Sequence, residues 1–259
     1  MNIMRLMHVV RELWGDLTAL VWPCVCLVCG APNRELCSAC RAEVRATAGG
    51  AQLMRSPSVG EAWAYGSYEG VLRALLVAYK HGGRVRLAGP LGELLSGPLA
   101  AALQLRRARA PALIVTAPSR AARVRQRGYR HVDLLVRRAL RCLGGSGGER
   151  SGAGPYLVVG ALESLPGRTG QVGLRAGERA RNAALVRVPW HMRGRLRGRE
   201  VVLIDDIVTT GATLAGAAAA LAAAGAEVIA VVVLATAQRR DAERLDAERA
   251  QGVGGGVAE

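Results

Sequence analysis

Short runs of uninterrupted apolar residues set the frame of this chain. Ala112-Leu113-Ile114-Val115, Val201-Val202-Leu203-Ile204 and Val228 to Leu234 are shorter than a typical helix and rich in β-branched side chains. They read as strands buried on both faces, the mark of a parallel sheet covered by helices. Helical spacing fills the intervals between them. Leu72, Leu75, Leu76 and Tyr79 recur on one side of a helix, as do Val132, Leu135, Val136, Ala139 and Leu143, and Leu214 to Ala224 make an alanine-rich helix stopped by Gly225. Trp63 to Tyr68 and Tyr156 to Val159 add two short strands. Repeated strand, loop and helix predict an α/β fold whose loops gather at the carboxyl edge of the sheet. The loop Thr116-Ala117-Pro118-Ser119-Arg120 is expected there, facing the loop that follows Ile204. Lys80-His81-Gly82-Gly83-Arg84 reads as a glycine-capped helix end with His81 on the surface; a phosphate contact by its basic residues is the alternative.

The segments outside this repeat differ in character. Residues 1–22 form an expected amphipathic helix, with Val10, Leu13, Leu17, Leu20 and Val21 on one side. Arg11, Glu12 and Asp16 interrupt it before any apolar run reaches export or membrane-spanning length, so a cytoplasmic protein is expected. Gly144 to Gly154 reads as a loop, because no buried strand leads into its glycines. The polar stretch Gln171 to Asn182, which contains Arg179, precedes the motif strand and suits a lid. The main domain is expected over residues 60–237, with a polar tail over 238–259.

Five of the six cysteines lie in the first forty residues, as Cys24-Val25-Cys26-Leu27-Val28-Cys29-Gly30 and Cys37-Ser38-Ala39-Cys40. Two Cys-x-x-Cys knuckles close together suit tetrahedral zinc, which makes residues 23–45 an expected zinc ribbon with ligands Cys26, Cys29, Cys37 and Cys40. Two disulfides are the alternative, disfavoured in a reducing compartment. Cys24 competes with Cys26 for the site, but Cys26 gives the regular spacing. Four thiolates leave the metal no open position, so such a zinc is structural. Cys142, alone on its helix, is expected in the core.

The chemistry concentrates after Ile204, in Asp205-Asp206-Ile207-Val208-Thr209-Thr210-Gly211-Ala212-Thr213. Adjacent carboxylates at a strand end must face solvent, a cation or hydroxyl donors. The hydroxyl-rich loop supplies a glycine free to take positive φ and amides that open a helix, a ready anion site. Carboxylates beside a phosphate cradle match ribose 5-phosphate. An acidic pair after a buried strand also describes a Walker B segment or a plain solvated turn. The single lysine, Lys80, precedes His81 rather than Ser or Thr, which excludes a P-loop.

Residues 201–213 resemble the phosphoribosyl pyrophosphate motif of type I phosphoribosyltransferases. The resemblance implies that fold, with Asp205 and Asp206 holding the ribose hydroxyls and Thr209, Thr210, Gly211, Ala212 and Thr213 surrounding the 5-phosphate. The cysteine ribbon followed by this domain resembles the ComF family of competence-associated proteins over nearly the whole chain. Ala64-Tyr65, Tyr68-Glu69-Gly70, Lys80, Arg127-Gly128-Tyr129, and Gln171, Leu174, Arg179 and Asn182 share that family's local patterns. Arg130 stands where the family has asparagine, and Thr116-Ala117-Pro118 where it has Pro-x-Pro. Activity would join Mg²⁺ with Ser119, Arg120, Arg127 and Arg179 on the pyrophosphate and lid side, and the implied partners are the competence helicase and DNA-processing proteins. A non-catalytic nucleotide or phosphoribosyl pyrophosphate sensor is the second reading.

The formal charge of +15 raises a third, a zinc-ribbon module binding DNA. The arginines are scattered rather than clustered, aromatic residues make up 3%, and phenylalanine is absent. Base-stacking platforms are therefore scarce, which weighs against direct nucleic-acid binding.

Overall fold

The computed structural model describes residues 24–47, 50–56, 59–119, 121–144, 156–165 and 186–237. The expected N-terminal helix, the lid stretch, most of the glycine loop and the polar tail lie outside these residues.

The strands are β1 (Gln52–Ser56), β2 (Gly60–Ser67), β3 (Ala112–Thr116), β4 (Tyr156–Val159), β5 (Glu163–Ser164), β6 (Val186–Arg187), β7 (Glu200–Ile204), β8 (Ile207–Val208) and β9 (Glu227–Thr236). Seven of them form one sheet in the order β1-β2-β9-β7-β3-β4, with β8 paired to β9. Every pairing is parallel except β1 with β2. β5 and β6 make a separate antiparallel pair. The longer helices are α1 (Ser38–Thr47), α2 (Gly70–His81), α3 (Ala88–Gln104), α4 (Ala121–Arg127), α5 (His131–Cys142) and α6 (Ala212–Ala223).

Alternation along the central strands sends side chains to two cores. Ile114, Val202, Ile204, Val232 and Leu234 share one core with α2, α3 and α5. Leu113, Val115, Val201, Leu203, Val231 and Val233 share the other with Leu214, Ala217 and Leu221 of α6. This is the helix-covered, mostly parallel sheet that the apolar runs predict.

Helix α3 is absent from the sequence expectations. Gly89, Pro90, Gly92, Gly97 and Pro98 mask its periodicity, yet its leucines at 91, 95 and 99 are fully buried. Gly92 has a packing reason: a Cβ there would stand 2.3 Å from Cβ of Arg138 and 3.0 Å from the Leu135 carbonyl oxygen. Only glycine lets α3 and α5 approach this closely. Cys142 is exposed, which corrects the expected core position. It is the last residue of α5, and the buried stripe of His131, Val132, Leu135, Val136, Ala139 and Leu140 turns away from it.

Candidate functional site

The parallel strands deliver their carboxyl ends to one edge of the sheet, and backbone hydrogen bonds fix the motif there. Asp205 donates its N–H to the Val232 carbonyl at 3.0 Å, and the Asp206 carbonyl accepts from Leu234 at 3.0 Å and Ala235 at 3.2 Å. Ala117 donates to the Ile204 carbonyl at 2.7 Å, which ties the loop after β3 beside the loop after β7. Two residues of β8 return the chain to β9 before Thr209 and Thr210. Gly211 then takes φ 75°, a left-handed conformation that admits glycine at little cost, and opens α6. No side chain caps that helix, and Thr210 Oγ1 is buried without a hydrogen-bond partner among the described residues. A helix start without a side-chain cap and an unspent hydroxyl make a cradle suited to an anion.

The two carboxylates live in different surroundings. Asp206 is buried, with Oδ2 at 2.8 Å from Lys80 Nζ and 2.7 Å from His131 Nε2. Burial alone would raise its pKa, but the Lys80 ammonium and His131 more than reverse this and hold it well below the usual carboxylate range. Asp205 is half-buried and its Oδ1 accepts the Asp206 N–H at 2.8 Å. Burial and the neighbouring Asp206 charge push Asp205 up to about 7, against the opposing pull of Lys80. One member of the pair is thus locked as an anion, and its neighbour is poised near neutrality.

The partners of Asp206 come from distant elements. Lys80 sits in the last turn of α2, and Gly82 behind it caps the helix by donating to the Ala78 carbonyl. The helix end and the exposed His81 match expectation, but Lys80 turns inward and is buried. His131 opens α5, and Arg127 Nη1 lies 2.9 Å from its Nδ1. Tyr79 supports this corner by donating its hydroxyl to the His131 carbonyl at 2.8 Å, while Tyr129 donates to the Tyr79 carbonyl at 3.0 Å. Sequence reasoning missed the roles of Lys80 and His131, although a local signal exists. Lys80 stands four residues after Leu76, and His131 four before Leu135, each on its helix's apolar stripe.

Thr209, Ala212 and Thr213 are half-exposed around the cradle, and Gly211 is buried beneath it. Ser119 and Arg127 are half-buried. Arg120 and Arg179 lie outside the described residues.

The cysteine segment is a second candidate site. Cys26 donates its N–H to the Ala31 carbonyl and accepts at its own carbonyl from Gly30, whose φ is 74°; this closes the first knuckle. The second knuckle runs into α1, which places Cys40 in a helical turn. The sulfurs of Cys26, Cys29, Cys37 and Cys40 all lie within 4.8 Å of one another. A zinc tetrahedron with Zn–S of about 2.3 Å has S–S edges of about 3.8 Å, and Cys29 and Cys37 stand 3.7 Å apart. Cys37 N–H points at Cys26 Sγ and Cys40 N–H at Cys37 Sγ, both at 3.5 Å, as backbone donors do toward thiolate ligands. Burial opposes ionisation of Cys26, but N–H groups of Cys29, Cys37 and Val28 lower it to about 6. Shared hydrogen bonds with Cys37 and Cys29 push Cys40 upward, since neighbouring thiols resist ionising together without a cation. All six cysteines are free thiols, and Cys24 stays outside the cluster. The donor set fits a structural zinc.

This segment is bound to the domain. Arg41 and Arg45 pair with Glu93 of α3, and the Tyr65 hydroxyl donates to the Val44 carbonyl at 2.7 Å.

A helix-covered parallel sheet, with an acidic pair and an uncapped helix start at its carboxyl edge, defines an α/β protein of the phosphoribosyltransferase-like class. Residues 161–251 match the family model of the phosphoribosyl transferase domain. The chain therefore carries a phosphoribosyltransferase domain, together with an N-terminal four-cysteine cluster. No curated protein matches it. Among the described residues no helix is long and apolar enough to cross a membrane.

Proposed function

We propose that this protein binds phosphoribosyl pyrophosphate, or a ribose 5-phosphate ligand, at the carboxyl edge of its sheet, as a member of the ComF family serving DNA uptake. The observation that carries the reading is the joining of Asp205 to the α6 cradle through the Gly211 turn, within the segment matching the phosphoribosyltransferase model. The four-cysteine cluster ahead of that domain supports the ComF assignment.

In this reading Asp205 presents its half-buried carboxylate to the ribose hydroxyls, while Asp206 fixes the backbone behind it through Lys80 and His131. The amides of α6 and the hydroxyls of Thr209, Thr210 and Thr213 hold the 5-phosphate. Arg127, with Ser119, Arg120 and Arg179, serves the pyrophosphate side. Asp206 is already paired, and among the described residues no carboxylate cage is offered to Mg²⁺, which fits an ion carried in on the pyrophosphate oxygens. Bound there, Mg²⁺ supplies neutralisation of the leaving charge. What the protein contributes is orientation and fixed electrostatics.

A non-catalytic sensor is the second reading, favoured by the commitment of Asp206 to internal partners. Pyrophosphate release separates the two. Incubating the protein with Mg²⁺, phosphoribosyl pyrophosphate and a panel of nucleobases and amines is expected to release pyrophosphate with at least one acceptor. Asp205→Asn should lower that rate by about 10²-fold or more, the scale of losing an oriented polar contact in a reacting complex. Tight ligand binding with no release from any acceptor would leave the sensor.

A further inference from the structure

The contact between Arg127 and His131 joins two halves of the proposed site, and its hydrogen-bond chemistry has a direction. A guanidinium has donors and no acceptor. With Arg127 Nη1 at 2.9 Å, His131 Nδ1 must accept. The imidazole then carries its single proton on Nε2, which lies 2.7 Å from Asp206 Oδ2. The chain Arg127, His131, Asp206 and Lys80 thus runs from the end of α4, across the start of α5 and behind the acidic pair, to the end of α2.

Among the described residues, the charged and titratable groups facing His131 are few. Arg127 stands on its Nδ1 side and Asp206 on its Nε2 side. Beyond Asp206 lie Lys80 and Asp205. The Tyr79 ring is 6.4 Å from the imidazole, and Asp133 of the same helix is engaged by the Thr116 hydroxyl at 2.6 Å. Arg127 both blocks the second protonation position and adds a repelling positive charge. An anion that draws the guanidinium away removes both effects and leaves an imidazole facing a buried carboxylate, a setting that favours imidazolium.

We infer that His131 is a positioning residue coupling the anion-binding arginine to the acidic pair, and that it takes up a proton when an anionic ligand engages Arg127. This rests on the proposed phosphoribosyl pyrophosphate site and assigns it a linkage. Binding that draws a proton tightens as pH falls, by up to about tenfold per pH unit for one fully linked proton. The imidazolium would also keep Asp206 paired from both sides while the ligand's charge is in place.

The test is calorimetric titration of the whole protein with Mg²⁺ and phosphoribosyl pyrophosphate near neutral pH, in buffers of different ionisation enthalpy. The slope of binding heat against buffer enthalpy counts protons. His131→Gln keeps an acceptor toward Arg127 and a donor toward Asp206, but cannot take a proton. Proton changes on the ligand or Asp205 are common to both proteins, so the difference isolates His131. The wild type is expected to take up more protons than His131→Gln, by up to one per site, and Arg127→Met should also lose that excess. Equal counts in wild type and His131→Gln, with binding intact in both, would overturn the coupling and leave the ligand assignment standing. No binding to the wild type would remove the ligand assignment, and the coupling with it.

Discussion

Asp206→Asn is expected to destabilise the ligand-free protein by about 3–5 kcal/mol, the usual cost of stripping one partner from a buried ion pair. The Lys80 ammonium, only 9% exposed, would be left facing a neutral amide. For a domain of this size the loss corresponds to a fall in Tm of roughly 6–20 °C. Asp205→Asn should act in the opposite direction. Asp205 is raised to about 7 in the fold, so between the ordinary carboxylate range and about 7 the folded chain holds a proton that the unfolded chain has released. Stability from this group therefore falls as pH rises through that window. Asp206 is held below the ordinary range, and its contribution is present above that range and lost on acidification. Thermal unfolding of both variants across pH checks the signs. Asp205→Asn is expected to raise Tm above neutral pH and flatten its pH dependence, whereas Asp206→Asn lowers Tm and removes part of the acid sensitivity. Matching effects from the two variants would contradict the division of roles between these neighbours.

The second large effect concerns the four cysteines. Structural zinc in small cysteine sites contributes apparent binding free energies of about 10–16 kcal/mol to folding, and residues 24–47 have little core of their own. Metal analysis should find one zinc per chain. Cys37→Ser, or treatment with a strong chelator, should unfold this segment and free Glu93 from Arg41 and Arg45. The Tyr65 to Val44 hydrogen bond would be lost with it, so the main domain should also melt earlier. Cys24→Ser should leave zinc content unchanged, because Cys24 stands outside the cluster. A zinc-free protein of unchanged stability, or disulfides between these cysteines, would refute the assignment.

The parts of this fold legible in the sequence are those dictated by local pattern. Tyr156–Val159 was expected as a strand and is β4, and the runs at 112–115, 201–204 and 228–234 became β3, β7 and the body of β9. Uninterrupted apolar runs rich in β-branched residues leave few other solutions. Helix α3 was not legible, because its glycines and prolines oppose helix propensity locally, while burial against α5 and the sheet outweighs them. β1 sits at the sheet's edge, and β8 has only two residues, so neither shows a period. At the site, the motif residues could be read because they are contiguous. Lys80 and His131 could not be tied to Asp206, because 126 and 75 positions separate them from it in the sequence and folding alone brings them together.

The central claim is a ribose phosphate site at Asp205 and the α6 cradle, and thermal unfolding with Mg²⁺ and rising phosphoribosyl pyrophosphate tests it most directly. At a hundredfold excess over the dissociation constant the ligand should stabilise the wild type by about 2.7 kcal/mol, a rise in Tm of roughly 5–10 °C. Asp205→Asn, folded and at least as stable without ligand, should lose most of that rise. No shift at millimolar ligand, or an equal shift in Asp205→Asn, would contradict the site.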